Sequence, residues 1–446
     1  MALGGGTYIA QNKVLPGTYV NFVSAAAATA SLSDRGYVTM PLELDWGADS
    51  EVFTVTNEDF QKNTQEIFGY PYTHDKMKGL RDLFINANTL YAYRLNSGGK
   101  KASNSYAEAL YSGVRGNDIK TSIQANVDDP SKWDVTTYLG TEKVDMQTVS
   151  SPEELNANAY ARFKPGLVLE AVSGAAMSGG TNGEVSGSSW QEYLDKIESY
   201  VYNIMGIVTT DDITKKLFIS FNKRLRDEMG IKFQLVLYNY NKADYMGVVS
   251  VKNKCTDGVY KGEDGSNVYP CEAYAVYWTA GALAGCKVNA SCQNRTYDGE
   301  YTIDAGFTQS ELTAAIKSGG FVFHSVNGSI RVLDDINTMV SVTDTCGDVF
   351  KDNQTVRVID QLANDDAVLF NTKYLGRVPN DAAGRTALWA DLVKIRQELQ
   401  TLRAIENFSE TDITVSQGST KKAVVVENAI TVVNAMSKMY MTVTIS

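Results

Sequence analysis

Residues 438–446 alternate strictly. Met439, Met441, Val443 and Ile445 point one way along an extended backbone, and Tyr440, Thr442 and Thr444 point the other. A second β-prone run, Thr18-Tyr19-Val20-Asn21-Phe22-Val23, lies near the opposite end, in a Gly-, Ala- and Ser-rich stretch that forms no core by itself. These two segments constrain the fold more than any other feature. An extended segment carries unpaired N–H and C=O groups along both edges, so it joins a sheet or becomes a template for aggregation. Two destinations are open: a sheet of the same subunit, or a neighbour's sheet by strand addition. Exchange in a head-to-tail sense generates rings and helices rather than closed pairs. The candidate inter-subunit strands are Thr18, Tyr19, Val20 and Phe22 at one end and Met439, Tyr440, Met441, Val443 and Ile445 at the other.

Between the ends the texture changes twice. Residues 37–42 read as a strand, 58–68 and 74–86 as helices, and 90–95 as another strand. From 113 to 172 come short strand-like runs, 119–127, 133–138, 143–149 and 167–172, separated by Asn, Asp, Gly and Pro; that spacing predicts a small β-sandwich or barrel. Residues 174–189 are a loop by composition. Then the rhythm is α/β: helix 190–203, strand 204–208, helix 211–228 capped by Thr210, Asp211 or Asp212 and stopped by Gly230, and strand 231–237. Further helices are expected at 271–286, 309–317, 356–375 and 385–404, and strands at 413–417 and 422–427.

Composition excludes several functions. The net charge of −11 argues against a nucleic-acid partner, whose phosphates are held by Lys and Arg. Five widely spaced Cys, no CxxC and only two His, His74 and His324, predict buried thiols rather than a disulfide framework or a zinc site. No charged n-region precedes an apolar h-region, and no window is long enough for a membrane span, so retention in the cytoplasm until lysis is expected. Gly174 to Thr181 fits a P-loop except that Gly180 stands where the phosphate-binding Lys belongs, so no nucleotide cofactor is expected. No GxSxG flanks any Ser, and the adjacent acids Asp334-Asp335 and Asp365-Asp366 read as solvated turns or helix faces rather than acid/base dyads.

Several motifs in order along the chain resemble Gram-positive phage tail sheath proteins. They are Gly-Gly-Thr7-Tyr8 through Pro16-Gly17-Thr18-Tyr19-Val20-Asn21-Phe22, Arg35-Gly36-Tyr37-Val38 through Leu44-Asp45-Trp46-Gly47, Tyr91-Ala92-Tyr93-Arg94-Leu95, and Gly113-Val-Arg115-Gly116-Asn117-Asp118-Ile119. Later come Leu225-Arg226-Asp227 with Gly230, Ala243-Asp244-Tyr245, Asp335-Ile336-Asn337-Thr338, Arg357-Val358-Ile359-Asp360 and Tyr440-Met441-Thr442-Val443. Residues 255–269 form a longer loop than the family pattern has. The resemblance implies an α/β multi-domain subunit: an N-terminal linking arm at 1–30, the first part of an α/β core at 31–105, an inserted β-sandwich at 106–175, a subtilisin-like α/β middle domain at 176–345, a C-terminal α/β domain at 346–437 and a linking strand at 438–446. It implies no enzyme activity, since a fold label carries no chemistry. It also implies hexameric rings stacked helically around a tail tube, with baseplate and tail-terminator proteins as further partners and no insertion into membrane. Assembly is expected in the host bacterial cytoplasm, for use in a virion tail or a released tail-like particle.

On the helix from Arg385, at about 100° per residue, Arg385, Arg396 and Arg403 fall on one line, with Trp389, Leu392 and Leu399 close to it. Two readings of this stripe are open: a sliding electrostatic contact with the tube, or intramolecular ion pairs. The alternative for the whole chain is an α/β enzyme acting on carbohydrate or nucleotide, with the β-sandwich as accessory domain.

Overall fold

The computed structural model describes residues 32–258, 260–261, 267–268, 271–344 and 346–445. The candidate strand residues Thr18, Tyr19, Val20 and Phe22 lie outside the described residues. The described residues form two compact units, one within 34–357 with 434–445 and one of 32–33 with 358–433.

The larger unit is built on one seven-stranded sheet. Its strands are β1 (Tyr37–Leu42), β2 (Val52–Thr56), β3 (Thr89–Arg94), β4 (Ile204–Gly206), β5 (Gln234–Tyr238), β6 (Val248–Val251) and β7 (Gly320–Phe321). They lie in the order β7-β6-β5-β4-β1-β3-β2, parallel except for the antiparallel edge strand β2. A parallel sheet needs both faces covered, so its strands read as continuous apolar runs. In β5 every residue is buried: Val236 and Tyr238 face one core, Leu235 and Leu237 the other. The first core holds α3 (Ala275–Gly285), a helix apolar all round and therefore enclosed on every side. Its small residues permit close approach; a Cβ on Gly281 would stand 2.2 Å from the Leu83 carbonyl oxygen. The second core is closed by α1 (Gly187–Ile197) and α2 (Asp212–Arg224). Asp211 caps α2 by accepting from Thr214 N at 2.7 Å, and Gly230, at φ 77°, stops the π-helical turn that follows it.

Between β3 and α1 the chain makes the predicted all-β insertion. One sheet orders Val172–Ala176, Ile119–Ala125, Trp133–Leu139 and Glu142–Val149; the other orders Lys101–Ser103, Ala107–Ser112 and Ala161–Phe163. All pairings are antiparallel. The stretch read as a loop from 174 thus supplies the end of a strand, while 167–171 is irregular.

In the smaller unit, helix α4 (Asn353–Leu369, whose first residues belong to the larger unit) leads through a π-helical turn, Phe370–Tyr374, towards α5 (Ala382–Thr401). Two hairpins follow, Ile413–Gln417 with Val424–Asn428 and Ile405–Glu406 with Thr431–Val432.

Candidate functional site

The C-terminal segment is hydrogen-bonded to the described residues at its root. Asn434 and Thr355 exchange side-chain hydrogen bonds at 3.0 and 3.2 Å, and Ala435 N donates to Gln354 Oε1 at 3.0 Å. Beyond it, residues 436–445 run in the open and pair with no strand among the described residues. Met439 is 83% exposed and Ile445 91%, with Tyr440, Met441 and Val443 similarly bare. The sequence alternation predicts a strand here, and none of the described residues supplies it a partner. Contiguous exposed apolar side chains on an extended backbone mark an interaction site or a liability.

The hairpin of the smaller unit has the complementary property. Its two strands pair over five residues, from Ile413 opposite Asn428 to Gln417 opposite Val424, and neither outer edge meets another described strand. Only Ile413 is buried, and Val425 and Val426 are exposed. Trp389 Nε1 donates to the Ile413 carbonyl at 3.0 Å, which fixes the hairpin on α5. A lone two-stranded ribbon is marginal in water and gains from added strands. Its sequence signal was the Val424-Val425-Val426 run, which fits poorly with a strand finished within its own subunit.

The arginine stripe does not survive as a line. Arg396 is buried and makes a bidentate pair with Asp366, at 2.5 and 2.6 Å. Helix α5 ends at Thr401, so Arg403 lies past it, exposed and in a left-handed conformation at φ 61°. Arg385 is half-buried and donates to the Asn380 carbonyl at 3.0 Å. The adjacent acids are corrected too. Asp365 is buried against Ser33 and Gln361, and Asp335 against Arg357, Asn353 and Cys292 N.

A cleft of about 650 Å³ opens at the carboxyl ends of β1 and β4, where the strand order reverses, the usual ligand position in open α/β sheets. Several of its polar groups are paired with one another: Asp45 with Lys76 and Tyr70, Lys78 with Asp257. His74 Nδ1 accepts from Lys76 N at 3.1 Å while its ring stacks on Tyr70. His324 stands across a hairpin from Arg331, and burial with that charge pulls its pKa down. Among the described residues no group of His, Cys, Asp and Glu has a metal-binding arrangement, and no helix is long and apolar enough to cross a membrane. The P-loop-like segment runs along the β-sandwich, with bridges from Ser178 to Ser103 and from Thr181 to Lys100.

Three of the motifs, around Asp45, Arg94 and Gly113–Asn117, converge where the β-sandwich joins the sheet. Arg94, fully buried, donates to the carbonyls of Gly47 (3.3 Å) and Ser112 (2.9 Å) and to Asn182 Oδ1 (3.4 Å). Asn182 Nδ2 donates to Asp45 at 2.8 Å. Gly113 sits at φ 126° with its absent Cβ only 1.9 Å from the Asp45 carbonyl oxygen, a place no side chain can occupy. The Arg115 guanidinium lies 4.5 Å over the Tyr70 ring and donates to the Gly69 carbonyl, and Asn117 exchanges two hydrogen bonds with Gly180.

Sequence profiles match along nearly the whole chain: the tail sheath protein Gp18 domain III N-terminal region over 35–95, the phage tail sheath β-sandwich domain over 97–182, the central domain over 183–338 and the C-terminal domain over 346–446. The XkdK protein of the phage-like element PBSX of Bacillus subtilis is 32% identical over the full length of both chains. The chain belongs to the phage tail sheath protein family. Among solved structures, the sheath tail protein of Desulfitobacterium hafniense is 35% identical, with a TM-score of 0.79 over 95% of this chain and 99% of that one. The helical sheath of the anti-feeding prophage in its contracted state shares the fold at 10% identity, with a TM-score of 0.56 over 97% and 99%. Family and fold give this sheath protein a structural role. Three of the motifs that signalled the family in the sequence, around Asp45, Arg94 and Gly113–Asn117, stitch the β-sandwich to the sheet.

Proposed function

We propose that this chain is the repeating subunit of a contractile tail sheath. Copies stack as hexameric rings in a helix around a tail tube, between a baseplate and a tail terminator. Strands 18–22 and 439–445 are donated between copies, and contraction drives the tube through a target envelope. Two observations carry this reading: the bare apolar segment 439–445, and a hairpin whose outer edges meet no other strand among the described residues. Among the described residues, one copy has both a strand-like segment outside any sheet and a two-stranded ribbon with open edges. Joining them between copies satisfies backbone groups and buries Met439, Met441, Val443 and Ile445. Because donor and acceptor are different surfaces, the contact is heterologous and propagates. The strand links hold while weaker domain contacts break and re-form, so an extended sheath is a trapped state that falls to lower free energy when triggered. For the tube contact, Arg403 and the half-buried Arg385 remain as candidates; Arg396 is committed to Asp366.

Assembly takes place in the bacterial cytoplasm, and the product serves in a virion or a released particle. Deleting residues 437–446, or 1–24, removes one set of links. Electron microscopy of the purified truncations is expected to show dispersed subunits. Striated tubes from either truncation would falsify strand donation by that end. The enzymatic reading draws on the cleft beside β1 and β4 and predicts a discrete soluble oligomer of the full-length chain. Tubes or stacked rings from that chain exclude it.

A further inference from the structure

Cys286 follows the last residue of α3, and Cys292 lies six positions on, after a short turn. Both are buried and interact with one another, since Cys292 Sγ lies against Ala282, one helical turn before Cys286. Each also has a backbone acceptor: Cys286 Sγ reaches the Ala290 carbonyl at 3.4 Å, and Cys292 Sγ the Ala282 carbonyl at 3.5 Å. The surroundings are charged. Arg35 Nε donates to the Cys286 carbonyl at 3.0 Å, and Arg357 Nη1 to the Ala290 carbonyl at 2.7 Å. Asp335 Oδ2 takes Arg357 Nη2 at 3.2 Å and Cys292 N at 2.9 Å. Ordinary buried cysteines in apolar packing are inert; a thiol beside guanidinium groups and a second thiol is not.

We propose that Cys286 and Cys292 are a hydroperoxide-sensitive thiol pair that closes to a disulfide. Cys286 is the attacking sulfur. The hydrogen bond from Cys292 stabilises its thiolate first, and Arg357 and Arg35 add to that against the cost of burial, so its pKa lies below the ordinary thiol value. The same hydrogen bond and complete burial push Cys292 the other way and keep it protonated. The Cys286 thiolate attacks the distal oxygen of the hydroperoxide, and the O–O bond breaks. The products are a sulfenic acid on Cys286 and an alkoxide that takes a proton; from hydrogen peroxide that product is water. The Cys292 sulfur then attacks Cys286 Sγ, the S–O bond breaks, and hydroxide leaves as water with the Cys292 proton. Two electrons leave the two thiols and reduce one O–O bond. The disulfide closes the short loop that carries the Ala290 carbonyl and Cys292 N, the two backbone groups that Arg357 and Asp335 hold. Oxidation therefore stiffens the socket that holds Arg357, near the start of α4.

Cys255 is an internal control. It is buried to the same degree, 7% exposed against 5% for Cys286, but burial and Asp257 push its thiol up to about 12. The full-length protein is treated with hydrogen peroxide, alkylated unfolded and digested with trypsin, which cuts after Lys287 between the two thiols. The expected product is a cross-linked peptide pair, about 2 Da lighter than the reduced pair, with fragmentation placing the bond at Cys286 and Cys292. It forms at least about tenfold faster than Cys255 is oxidised. In Cys292→Ser the expected product is a Cys286 sulfenic acid that dimedone traps. Oxidation of Cys255 or Cys346 ahead of the pair, or Cys286 driven to sulfinic acid with Cys292 still free in the unsubstituted chain, overturns the proposal. The unsubstituted chain decides the matter if the variant fails to fold.

Discussion

Arg396 and Asp366 form a bidentate pair inside the smaller unit, with both terminal nitrogens of the guanidinium on both oxygens of the carboxylate. Arg396 is 2% exposed, and burial raises the Asp366 pKa more than its partner lowers it. The pair therefore fixes the packing of α4 on α5 more than it adds net stability. Arg396→Ala is expected to destabilise the unit by about 3 kcal/mol, because it leaves the Asp366 carboxylate buried without its cation. Its carboxyl then titrates higher still, so the loss shrinks as pH falls and the group takes up a proton. Replacing both partners, Arg396→Met with Asp366→Leu, is expected to recover most of the stability. Amide hydrogen exchange along α5 at pH 5 and pH 7.5 measures all three.

Arg94 ties the sheet to the β-sandwich through the Gly47 and Ser112 carbonyls and Asn182. Arg94→Met removes every one of these donors while keeping the volume. The expected cost is about 3 kcal/mol, from buried acceptors left without partners. The visible result is protease cleavage near residues 97–100 and 179–186, where the chain crosses between the two parts. Arg94→Lys, a point charge that cannot fork, is expected to fall between the two. Equal protease resistance in all three proteins would show that the junction does not depend on this side chain.

Much of this architecture was legible in the sequence because it is local. The all-β stretch showed as turn-separated runs at 119–127, 133–138 and 143–149, and the strands form within one or two residues of them. Cap chemistry placed α2 between Asp211 and Gly230. The helix read over 58–68 is two helices, because Asn63 interrupts it. What periodicity cannot give is partnership. β1 pairs with β4 across more than 160 positions, and the inserted β-sandwich hides that the two belong to one sheet. Val172–Ala176, in a small-residue stretch, is a strand only because Ile119–Ala125 offers its edge. The stripe from Arg385 to Arg403 failed for a related reason. Helical geometry assigns a face, but only the packing of α4 against α5 reveals that Arg396 turns inward to Asp366.

Asp82 sets a pH dependence of known sign. Burial raises its carboxyl to about 6 from the ordinary 3.8, against hydrogen bonds from Glu300 N at 2.7 Å and Tyr297 OH at 3.0 Å. Between those values the folded state keeps a proton that the unfolded chain has released. Stability contributed by this group is therefore present at the acid end and lost as pH rises through about 6. The full difference is about 3 kcal/mol. Asp352, raised to about 6 by burial and by Asp335, acts in the same sense. Asp82→Asn is expected to melt higher than the natural chain at pH 7.5 and to lose its share of the slope between about pH 4 and 6. Thermal unfolding of both proteins across that range isolates the Asp82 contribution by difference.

The bare strand offers a sharper test than its deletion. If residues 439–445 work by joining a neighbour's sheet, two properties matter separately. The backbone supplies hydrogen-bond donors, and one side-chain face supplies apolar burial. Thr442→Pro removes one N–H and fixes φ without touching Met439, Met441, Val443 or Ile445, and proline inside a paired strand breaks the ladder. Val443→Asp instead leaves the backbone intact and puts a charge on the apolar face. Thr444→Asp charges the opposite face, which alternation places away from Val443. Assembly followed by light scattering and electron microscopy is expected to fail with Thr442→Pro and Val443→Asp and to persist with Thr444→Asp. The melting temperature of the unassembled subunit should stay the same in all three, since this segment pairs with no strand among the described residues. Assembly lost on both faces alike, with Thr442→Pro tolerated, would mean that the end acts as a general apolar patch and not as a strand.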